Sequence, residues 1–488
     1  MLWGCAALLW AQPSRFPDGV ASGDVTAYSA VLWTRTARPA AVEAEVAADA
    51  DFRLIRFRGT AVTTEDGGLA AKLEAWPLSP ATQYYYRWKS AGSVSETGTF
   101  RTAPAPGETT GLRFVFAGDS DGTMVNGKPA FNRFEVLDAA RREDADFFIY
   151  LGDTVYTDSE KRGSGPAATL DEYRSAYAVN RSYPALRELM RSTSTFALWD
   201  DHEFRNDFSP AGLPAGLYEI GRRAFLEWMP VRESHMPADP GCAGRPMFRI
   251  IRWGTEALLI VLDERTCRSP SAASKCLDRT GAPDLAPTLP AALRTLAGLR
   301  EPVAPGCLAA IADSSRTMIG QTQRELLMLA LRYFPARFKF VVSEVPVTQL
   351  YALPYDRWEG YAAERETLLR FIDEQRIPNV FFVTADLHAT VSSTLYVQGA
   401  DGPRKVAMEL VTGPIAVDPL LKTLSGYAGF NPAAFSFLLP QLGIACYDLE
   451  RMTYGVVEVD GGTGRVRLAV KDEMGKTVCG QPPAGPGF

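Results

Sequence analysis

Four apolar segments of the chain each end in a short loop that carries carboxylates or a histidine. The loops contain Gly118-Asp119-Ser120, Gly152-Asp153-Thr154-Val155-Tyr156, Asp200-Asp201-His202-Glu203 and Ala385-Asp386-Leu387-His388. In an α/β sheet the strand ends converge on one edge, and ligand sites lie outside the carboxyl ends. Because carboxylates gathered there repel one another unless cations hold them, the pattern predicts a metal centre. The chain has only 3 histidines, so most ligands of that centre must be oxygen atoms.

The elements that position these loops follow from the apolar pattern beyond residue 112. Apolar strands are predicted at 113–117, 146–151, 195–199, 257–262, 338–342 and 379–384. Amphipathic helices are predicted between them at 131–142, 322–333 and 361–374. This alternation is typical of an α/β or layered α/β/α domain. We therefore predict one such domain over residues 112–480.

Residues 14–103 show a different pattern, with short alternating segments such as 30–34 and 42–46 and no long helical period. Polar turns separate these segments, which predicts a small all-β sandwich. The run from Leu78 to Tyr84, with Pro80 and Thr82 between them, resembles the tyrosine corner of fibronectin type III-like domains. Tyr84 is therefore expected to bond upstream backbone, and the Pro- and Gly-rich residues 101–111 to mark the domain boundary.

The overall composition excludes several classes of protein. The 488 residues include 25 Phe, 18 Tyr and 9 Trp, which bury far more apolar surface than a disordered chain offers. The net charge of −6 argues against a general nucleic-acid binder, which needs a basic face. No apolar run reaches the roughly 18–20 residues of a membrane span. The remaining class is a globular protein, which we expect to be a monomer.

The amino terminus and the cysteines indicate whether the protein is exported from the cytoplasm. An apolar run from Leu2 to Ala11 predicts a secretory leader over residues 1–12, with a buried strand or helix as the alternative. An even number of cysteines in an exported protein permits disulfides, although six allow fifteen connectivities. None is arranged as CxxC, which disfavours a zinc ribbon or a redox motif. We interpret as structural the six that follow the leader: Cys242, Cys267, Cys276, Cys307, Cys446 and Cys479.

The motifs, taken in order, resemble those of the PhoD-like alkaline phosphatase family within the calcineurin-like metallophosphoesterases. The resemblance covers nearly the whole chain and rests on the small β domain, Leu151-Gly152-Asp153 with Tyr156, Trp199-Asp200-Asp201-His202-Glu203, Asp356-Arg357-Trp358-Glu359-Gly360-Tyr361 with Arg365, and Asp386-Leu387-His388. It implies a four-layered α/β/β/α domain of the α/β class, preceded by a fibronectin type III-like sandwich. It also implies a phosphoesterase that works with two or more metal ions.

The resemblance assigns metal ligands position by position. Asp153 would bridge two ions, and the remaining ligands divide into one set for each ion: Asp119, Tyr156 and His388 for the first, and Asp201, Glu344 and Asp386 for the second. Two such ions clamp the attacking and leaving oxygens of an in-line displacement.

The resemblance also assigns two residues to the substrate. His202 would be a histidine that binds no metal and stands beside the phosphate, as general acid or transition-state donor. Arg265 lies in Asp263-Glu264-Arg265-Thr266-Cys267-Arg268, which resembles a family segment. Its guanidinium either contacts phosphate, which its fork geometry suits, or forms a structural ion pair with Asp263.

The expected ions follow from how this chain departs from the family pattern. The family often has cysteine where this chain has Asp119, and the first ligand set instead resembles the iron shell of the purple acid phosphatases. A Tyr156 phenolate suits a hard, highly charged ion, so Fe³⁺ is expected there. The second set consists of oxygen ligands alone, which favours Ca²⁺, Mg²⁺ or Mn²⁺ over Zn²⁺. The implied centre is Fe³⁺ with Ca²⁺.

The sequence thus predicts an exported, metal-dependent phosphatase that hydrolyses phosphomonoesters at alkaline pH. The first alternative is a phosphodiesterase that acts on teichoic-acid-like polymers or phospholipid headgroups. The second alternative is a binding or adhesion protein in which the metal cluster only stabilises the fold. A histidine that binds no metal beside the cluster argues against this last alternative.

Overall fold

The computed structural model describes residues 15–484 except 297, 300, 427–436, 438 and 441–443, so the predicted leader lies outside the described residues. Strands dominate the amino-terminal part: β1 (Val20–Gly23), β2 (Ala30–Arg35), β3 (Ala40–Ala47), β4 (Ile55–Thr63), β5 (Ala70–Ala75), β6 (Gln83–Ser90), β7 (Ser93–Val94) and β8 (Gly98–Arg101). Beyond them, strands and helices alternate.

The strands of this second part are β9 (Leu112–Ser120), β10 (Met124–Val125), β11 (Lys128–Pro129), β12 (Phe147–Leu151), β13 (Ser194–Leu198), β14 (Arg249–Trp253), β15 (Ala257–Val261), β16 (Phe338–Val342), β17 (Val380–Thr384), β18 (Thr390–Gly399), β19 (Gly402–Val411), β20 (Pro414–Ala416), β21 (Ile444–Asp448), β22 (Thr453–Asp460), β23 (Arg465–Asp472) and β24 (Thr477–Ala484). The helices are α1 (Glu135–Arg141), α2 (Leu170–Ser182), α3 (Pro184–Ser192), α4 (Leu217–Trp228), α5 (Ala291–Leu296), α6 (Cys307–Ile311), α7 (Gln321–Tyr333), α8 (Ala362–Glu374) and α9 (Leu420–Ser425).

Two large sheets form the centre of the molecule. The first has the order β24-β23-β22-β9-β12-β13-β1-β2-β5, with β20 beside β9, and the second has the order β14-β15-β16-β17-β19-β18-β21. In the first sheet β9, β12, β13 and β1 run parallel. In the second, β15, β16, β17 and β19 run parallel. Each sheet therefore brings the carboxyl ends of several strands to one edge.

The sheets pack face to face, and helices cover their outer faces. Phe114 of β9 meets Phe340 of β16 edge to face, with ring centroids 5.1 Å apart, inside one continuous apolar core. On the outer face of the first sheet, Phe148 packs within a cluster that includes side chains of α1 to α4. On the outer face of the second, Val341 packs with side chains of α7 and α8. The predicted α/β/β/α order of layers is confirmed.

The amino-terminal strands form the predicted sandwich, but one of its sheets belongs to the larger domain as well. Strands β4, β3 and β6 pair with β7 and β8 in a separate sheet, whereas β1, β2 and β5 extend the first large sheet. Gly23 of β1 pairs in parallel with Thr195 of β13. The tyrosine corner is confirmed, because the Tyr84 hydroxyl accepts a hydrogen bond from the Ser79 backbone N–H at 2.8 Å.

The six predicted structural cysteines form three disulfides, Cys242–Cys267, Cys276–Cys307 and Cys446–Cys479. The second one lies in a small apolar cluster with Tyr355, and so braces the loop that precedes α8. In the described part of the chain, no helix is both long and apolar enough to cross a membrane.

Candidate metal centre

The predicted loops meet at the shared edge of the two sheets. Asp119 lies near the end of β9, and Asp153 and Asp201 lie just beyond β12 and β13. Asp386 follows β17 of the second sheet, and its backbone N–H donates to Asp119 Oδ1 at 3.2 Å. This hydrogen bond joins the two sheets at the site. The parallel order of the strands is the reason that residues from four distant parts of the sequence converge here.

Four of the predicted ligands have a left-handed backbone. The φ angles are 62° at Asp119, 47° at Asp153, 61° at Asp386 and 55° at His388. Side chains other than glycine rarely adopt this region, and such conformations cluster at functional sites where the surrounding structure enforces them. Here each one turns the chain sharply at a strand end.

Potential ligand atoms lie within 4.8 Å of one another in four overlapping groups: Asp119 with Asp153 and His388, Asp153 with Asp201 and His202, Asp200 with Asp201 and Asp386, and Asp201 with Asp207 and Asp356. Asp153 is common to the first two groups. A carboxylate that bridges two ions requires such a position, and Asp201, which is common to the last three groups, also has one.

Tyr156 lies between the two histidines of the site. Its hydroxyl oxygen is 3.2 Å from Nε2 of His388, and its ring stacks on the ring of His202 with centroids 4.0 Å apart. The structure therefore brings Tyr156 together with the ligand set to which it was assigned.

Several buried carboxylate oxygens of the cluster form no hydrogen bond with any described residue. Oδ2 of Asp119, Oδ1 of Asp201 and Oε1 of Glu344 have no hydrogen-bond partner among the described residues. A buried carboxylate oxygen without a partner costs free energy, and such groups in proteins are paired or coordinate metals. This donor set of carboxylates, a phenol and a histidine fits hard metal ions.

The pKa shifts of the clustered groups also indicate that cations would stabilise their ionised forms. Burial raises the pKa of Asp119 to about 8. Burial and the neighbouring Asp201 charge raise the pKa of Asp153 well above its ordinary value, and burial does the same for the Tyr156 phenol. At Asp201 the charges of Arg265 and His202 outweigh burial and lower the carboxyl pKa. A bound cation would favour the ionised form of each of these groups.

The two histidines differ in protonation. Burial alone would lower the pKa of His202, but the Asp201 charge and a hydrogen bond with Asp158 raise it to about 9. Burial and the charge of His202 lower the pKa of His388 to about 4. These shifts favour the neutral form of His388, which is the form that binds metals, and the protonated form of His202.

Arg265 is fully buried, and its guanidinium is surrounded by carboxylates. Its Nη1 and Nη2 atoms donate to the two Asp356 oxygens at 2.8 and 2.7 Å, and Nε donates to Asp200. Asp263 accepts from the backbone N–H of Arg265 at 3.1 Å, so the guanidinium pairs with Asp200 and Asp356 rather than with Asp263. A contact between Arg265 and phosphate stays a prediction.

Glu344 lies beside the cluster but in none of the four groups of ligand atoms. Its Oε2 accepts from the backbone N–H of Glu264 at 3.3 Å. Asp200, which the sequence suggested as a brace for the loop, both accepts from Arg265 and lies close to Asp201 and Asp386. Ligation by Glu344 therefore stays a prediction, and Asp200 is a further candidate ligand.

Sequence reasoning missed two carboxylates that hold the loops. Asp158 Oδ1 lies 2.6 Å from His202 Nδ1. Glu203 accepts from the Thr154 N–H at 2.6 Å and from the Asp200 N–H at 2.8 Å, and so ties two loops together. The signal for Asp158 was its place two residues after Tyr156. For Glu203 the signal was its place directly after His202 in the same motif, although its burial depends on the tertiary structure.

Comparisons with family profiles and with known proteins both find phosphatases. The profile of the PhoD-like phosphatase family matches residues 125–461, and that of the family's N-terminal domain matches residues 6–104. Alkaline phosphatase D of Bacillus subtilis (strain 168) is 28% identical over 424 residues, which cover 78% of this chain and 66% of that protein. The chain thus spans slightly less than two thirds of the length of this relative.

Two solved structures share the fold. A structure of PhoD superposes with a TM-score of 0.76 and 22% identity, covering 97% of this chain and 94% of the other. A purple acid phosphatase from yellow lupin (Lupinus luteus) seeds superposes with a TM-score of 0.58 and 11% identity, covering 95% of this chain and 74% of the other. At these identities the likeness concerns the fold alone.

Proposed function

The chain belongs to the PhoD-like phosphatase family, and from this premise we propose that it is an exported, metal-dependent phosphoesterase that hydrolyses phosphomonoesters at alkaline pH. The observation that carries the proposal is the arrangement around Asp153. This carboxylate lies in two groups of potential ligand atoms, and His202, which belongs to the second of them, has its Nδ1 engaged by Asp158. A purely structural metal cluster would not require a protonated histidine there.

Two ions are assigned to the cluster. Fe³⁺ would be held by Asp119, Tyr156 and His388 with Asp153, and Ca²⁺ by Asp153, Asp201 and Asp386 with Asp200 or Glu344. Mn²⁺, Mg²⁺ and Zn²⁺ are the other ions to test. When bound, such ions stabilise the charge that develops on phosphoryl oxygens and activate water.

His202, oriented by Asp158, would supply the proton that the leaving group accepts. Because Nδ1 of His202 is held by Asp158, Nε2 is the ring nitrogen left to face a substrate. Protonated His202 would donate through Nε2 to the departing ester oxygen, which is general-acid catalysis. Arg265 keeps Asp200 and Asp356 in place and so positions the loop that carries His202.

Export is supported by the cysteines. Disulfides persist in oxidising compartments, and each of the six cysteines beyond the apolar run at residues 2–11 is paired. We therefore place the protein in the periplasm, at the cell surface or in the medium.

The test combines elemental analysis of the purified protein with assays on p-nitrophenyl phosphate and bis-p-nitrophenyl phosphate. Stoichiometric iron and calcium with monoester turnover is the expected result. Turnover of the diester alone would make the protein a phosphodiesterase. The absence of both metal and turnover would overturn the proposal in favour of a binding protein, and a pH–rate profile that peaks near about 5 would refute the alkaline optimum.

A further inference from the structure

An open pocket of about 450 Å³ lies at the end of the second sheet that is opposite to the metal centre. Its lining includes three basic residues, Arg252, Arg332 and Lys339, together with Tyr333 and Phe334 at the end of α7. Among the described residues that line the pocket, none is acidic. In a protein with a net charge of −6, this concentration of cations is suited to an anion.

The register of the sheet places two of these cations on the same face. Arg252 of β14 pairs with Leu258 of β15, which in turn pairs with Lys339 of β16. Residues paired in register point to the same side of a sheet, so both side chains lie on the side of Leu258, which packs with α7. Their Cα atoms are two strand spacings, or about 10 Å, apart. Two long basic side chains can reach one anion across this gap.

The direction of the strands separates the pocket from the metal centre. The parallel strands β15 and β16 lead towards the edge where the candidate ligands lie, and Lys339 is three residues before the end of β16 at Val342. At about 3.3 Å for each residue, the pocket lies about 10 Å of strand before that edge. An anion in the pocket would therefore be distinct from a phosphate held at the metal centre.

Lys339 is 6% exposed, so its charge has lost most of its water. Its Nζ donates to the Ala336 carbonyl oxygen at 3.3 Å, and Nε of Arg252 donates to the Gly254 carbonyl oxygen at 2.9 Å. In the part of the chain that the structure describes, neither of them forms an ion pair, and nor does Arg332. Burial lowers the pKa of the Lys339 ammonium group, which an anion would offset.

Structural roles explain single cations but not the convergence of three on one pocket. The buried Arg181 also lacks a carboxylate partner, yet its guanidinium carbon lies in the core, 4.4 Å from the centroid of the Trp33 ring. An unpaired cation alone therefore does not mark a site. Arg332 stands in the last turn of α7, where a cation complements the helix dipole, whereas Arg252 and Lys339 lie on strands.

We propose that this pocket is an anion-binding site, separate from the metal centre, for a phosphate group that carries an apolar portion. Lys339 and the guanidinium groups of Arg252 and Arg332 would bind the phosphate oxygens, which guanidinium matches in geometry and charge. Tyr333 and Phe334, which are 62% and 44% exposed, would contact the apolar portion. A soluble phosphate ester and the headgroup of an anionic lipid both offer this chemistry. The inference does not depend on the proposed function.

The test measures how far a ligand protects Lys339 against acetylation in the full-length, metal-loaded protein, with mass spectrometry of the peptides as the readout. A bound phosphonate covers Nζ and favours its unreactive ammonium form, so labelling should slow by a factor of 1 + [L]/Kd, or about threefold when phenylphosphonate is at twice its Kd. The exposed Lys476 is the internal control and should label at a constant rate. Because the readout is local, phosphonate at the metal centre does not contribute to it.

A second arm replaces the phosphonate with vesicles of phosphatidylcholine and phosphatidylglycerol, and pure phosphatidylcholine vesicles are its control. Protection by phenylphosphonate would assign the pocket to a soluble ester. Protection by the anionic vesicles alone would assign it to a lipid headgroup.

Arg332→Gln should raise the ligand concentration that gives half protection by about 10-fold, because a charge-assisted hydrogen bond to the phosphate is lost. Arg252→Gln repeats this test from the sheet side of the pocket. The matched control is Arg279→Gln, which removes an exposed guanidinium that pairs with Glu301 and should leave protection unchanged.

Equal labelling of Lys339 with and without both ligands would overturn the site, whereas the metal centre and the proposed function would stand. If Lys339 resists acetylation even without a ligand, calorimetry with phenylphosphonate decides. The wild type must then bind at a second site besides the metal centre, and Arg332→Gln must weaken binding at that second site. A single binding event that is equal in both proteins would refute the proposal.

Discussion

The Asp158 carboxylate lies 2.6 Å from Nδ1 of His202, and its other oxygen accepts from the Asn206 backbone N–H at 2.7 Å. Asp158 is thus fixed by the backbone and in turn fixes the imidazole. A carboxylate at Nδ1 places a proton there, sets the ring orientation and stabilises the imidazolium. In the proposed mechanism His202 would donate the proton and Asp158 would position it.

We expect Asp158→Asn to lower kcat by about 10- to 100-fold, because the amide holds the ring but no longer stabilises the imidazolium. The measurement is a pH–rate profile, whose basic limb should shift to lower pH as the pKa of His202 falls. Asp171→Asn is the matched control, since Asp171 is exposed at the start of α2 and pairs with Arg174. A profile that keeps its shape would assign Asp158 a structural role instead.

His202→Ala separates catalysis from binding. We expect kcat to fall by about 10²- to 10⁴-fold, the usual contribution of a general acid. Elemental analysis should show unchanged metal content, because Nδ1 of His202 is engaged by Asp158 and the residue is not assigned as a ligand. Loss of an ion together with activity would instead make His202 a ligand, which its distance to Asp153 and Asp201 permits.

Tyr156→Phe tests the proposed iron site. The phenol lies beside His388 and near Asp153, and it is the one aromatic oxygen assigned to a metal. A phenolate bound to Fe³⁺ absorbs visible light, so the wild type is expected to be coloured and the variant colourless. Iron content should fall, with calcium retained. Tyr454→Phe serves as the control, because the Tyr454 hydroxyl is also buried but donates to Glu143, which is not an assigned ligand. Equal colour in wild type and Tyr156→Phe would contradict the assignment.

The sequence predicted where candidate metal ligands would lie because several of them follow strands that are buried at every position. Strand β12, Phe147–Leu151, is buried at every position, which is why its end and the position of Asp153 could be predicted. The helix predicted at 131–142 begins only at Glu135, because Phe134 adopts a left-handed φ of 63°. Helices α2 to α4 were not predicted, although they cover the first sheet beside the site.

Contacts between distant segments could not be predicted from the sequence. The pairing of Gly23 with Thr195, the disulfide connectivity and the burial of Glu203 each depend on where two remote parts of the chain meet. The same holds for Arg265, whose partners Asp200 and Asp356 stand 65 and 91 residues away. Local patterns report strands and turns, whereas the choice of partner is made by tertiary packing.

The junction between the sandwich and the larger domain gives a prediction about stability. A Cβ atom at Gly23 would overlap the carbonyl oxygens of Pro230 and Thr195. Gly23→Ala must therefore displace β1 from β13, and we expect it to lower the free energy of unfolding by about 1–3 kcal/mol. Gly163→Ala is the control, because nothing lies within 4 Å of its added atom. Chemical denaturation measures the free energy of unfolding of both variants. Equal values would mean that β1 moves away from β13 without loss of stability.

Removal of the metal ions should make stability depend on pH in a defined direction. In the metal-free protein burial raises the pKa of Asp119 to about 8, and Glu203 and Asp207 are raised to about 7 by burial. The folded state then retains protons that the unfolded chain, with carboxyl pKa values near about 4, has already released. Stability must fall as pH rises through this range, because the folded state binds more protons.

The window for this measurement is set by the histidines. The pKa of His388, lowered to about 4 by burial, adds an opposing trend that ends near its ordinary value of 6.5. Between pH 6.5 and 9, His202, raised to about 9 by Asp201 and Asp158, reinforces the fall, since its favourable interactions are lost as it deprotonates. Thermal melting after chelation should therefore show Tm decreasing from pH 6.5 to 9. Restored Fe³⁺ and Ca²⁺ should remove most of this slope, whereas a metal-free Tm that rises with pH would show that cations do not balance the buried carboxylates.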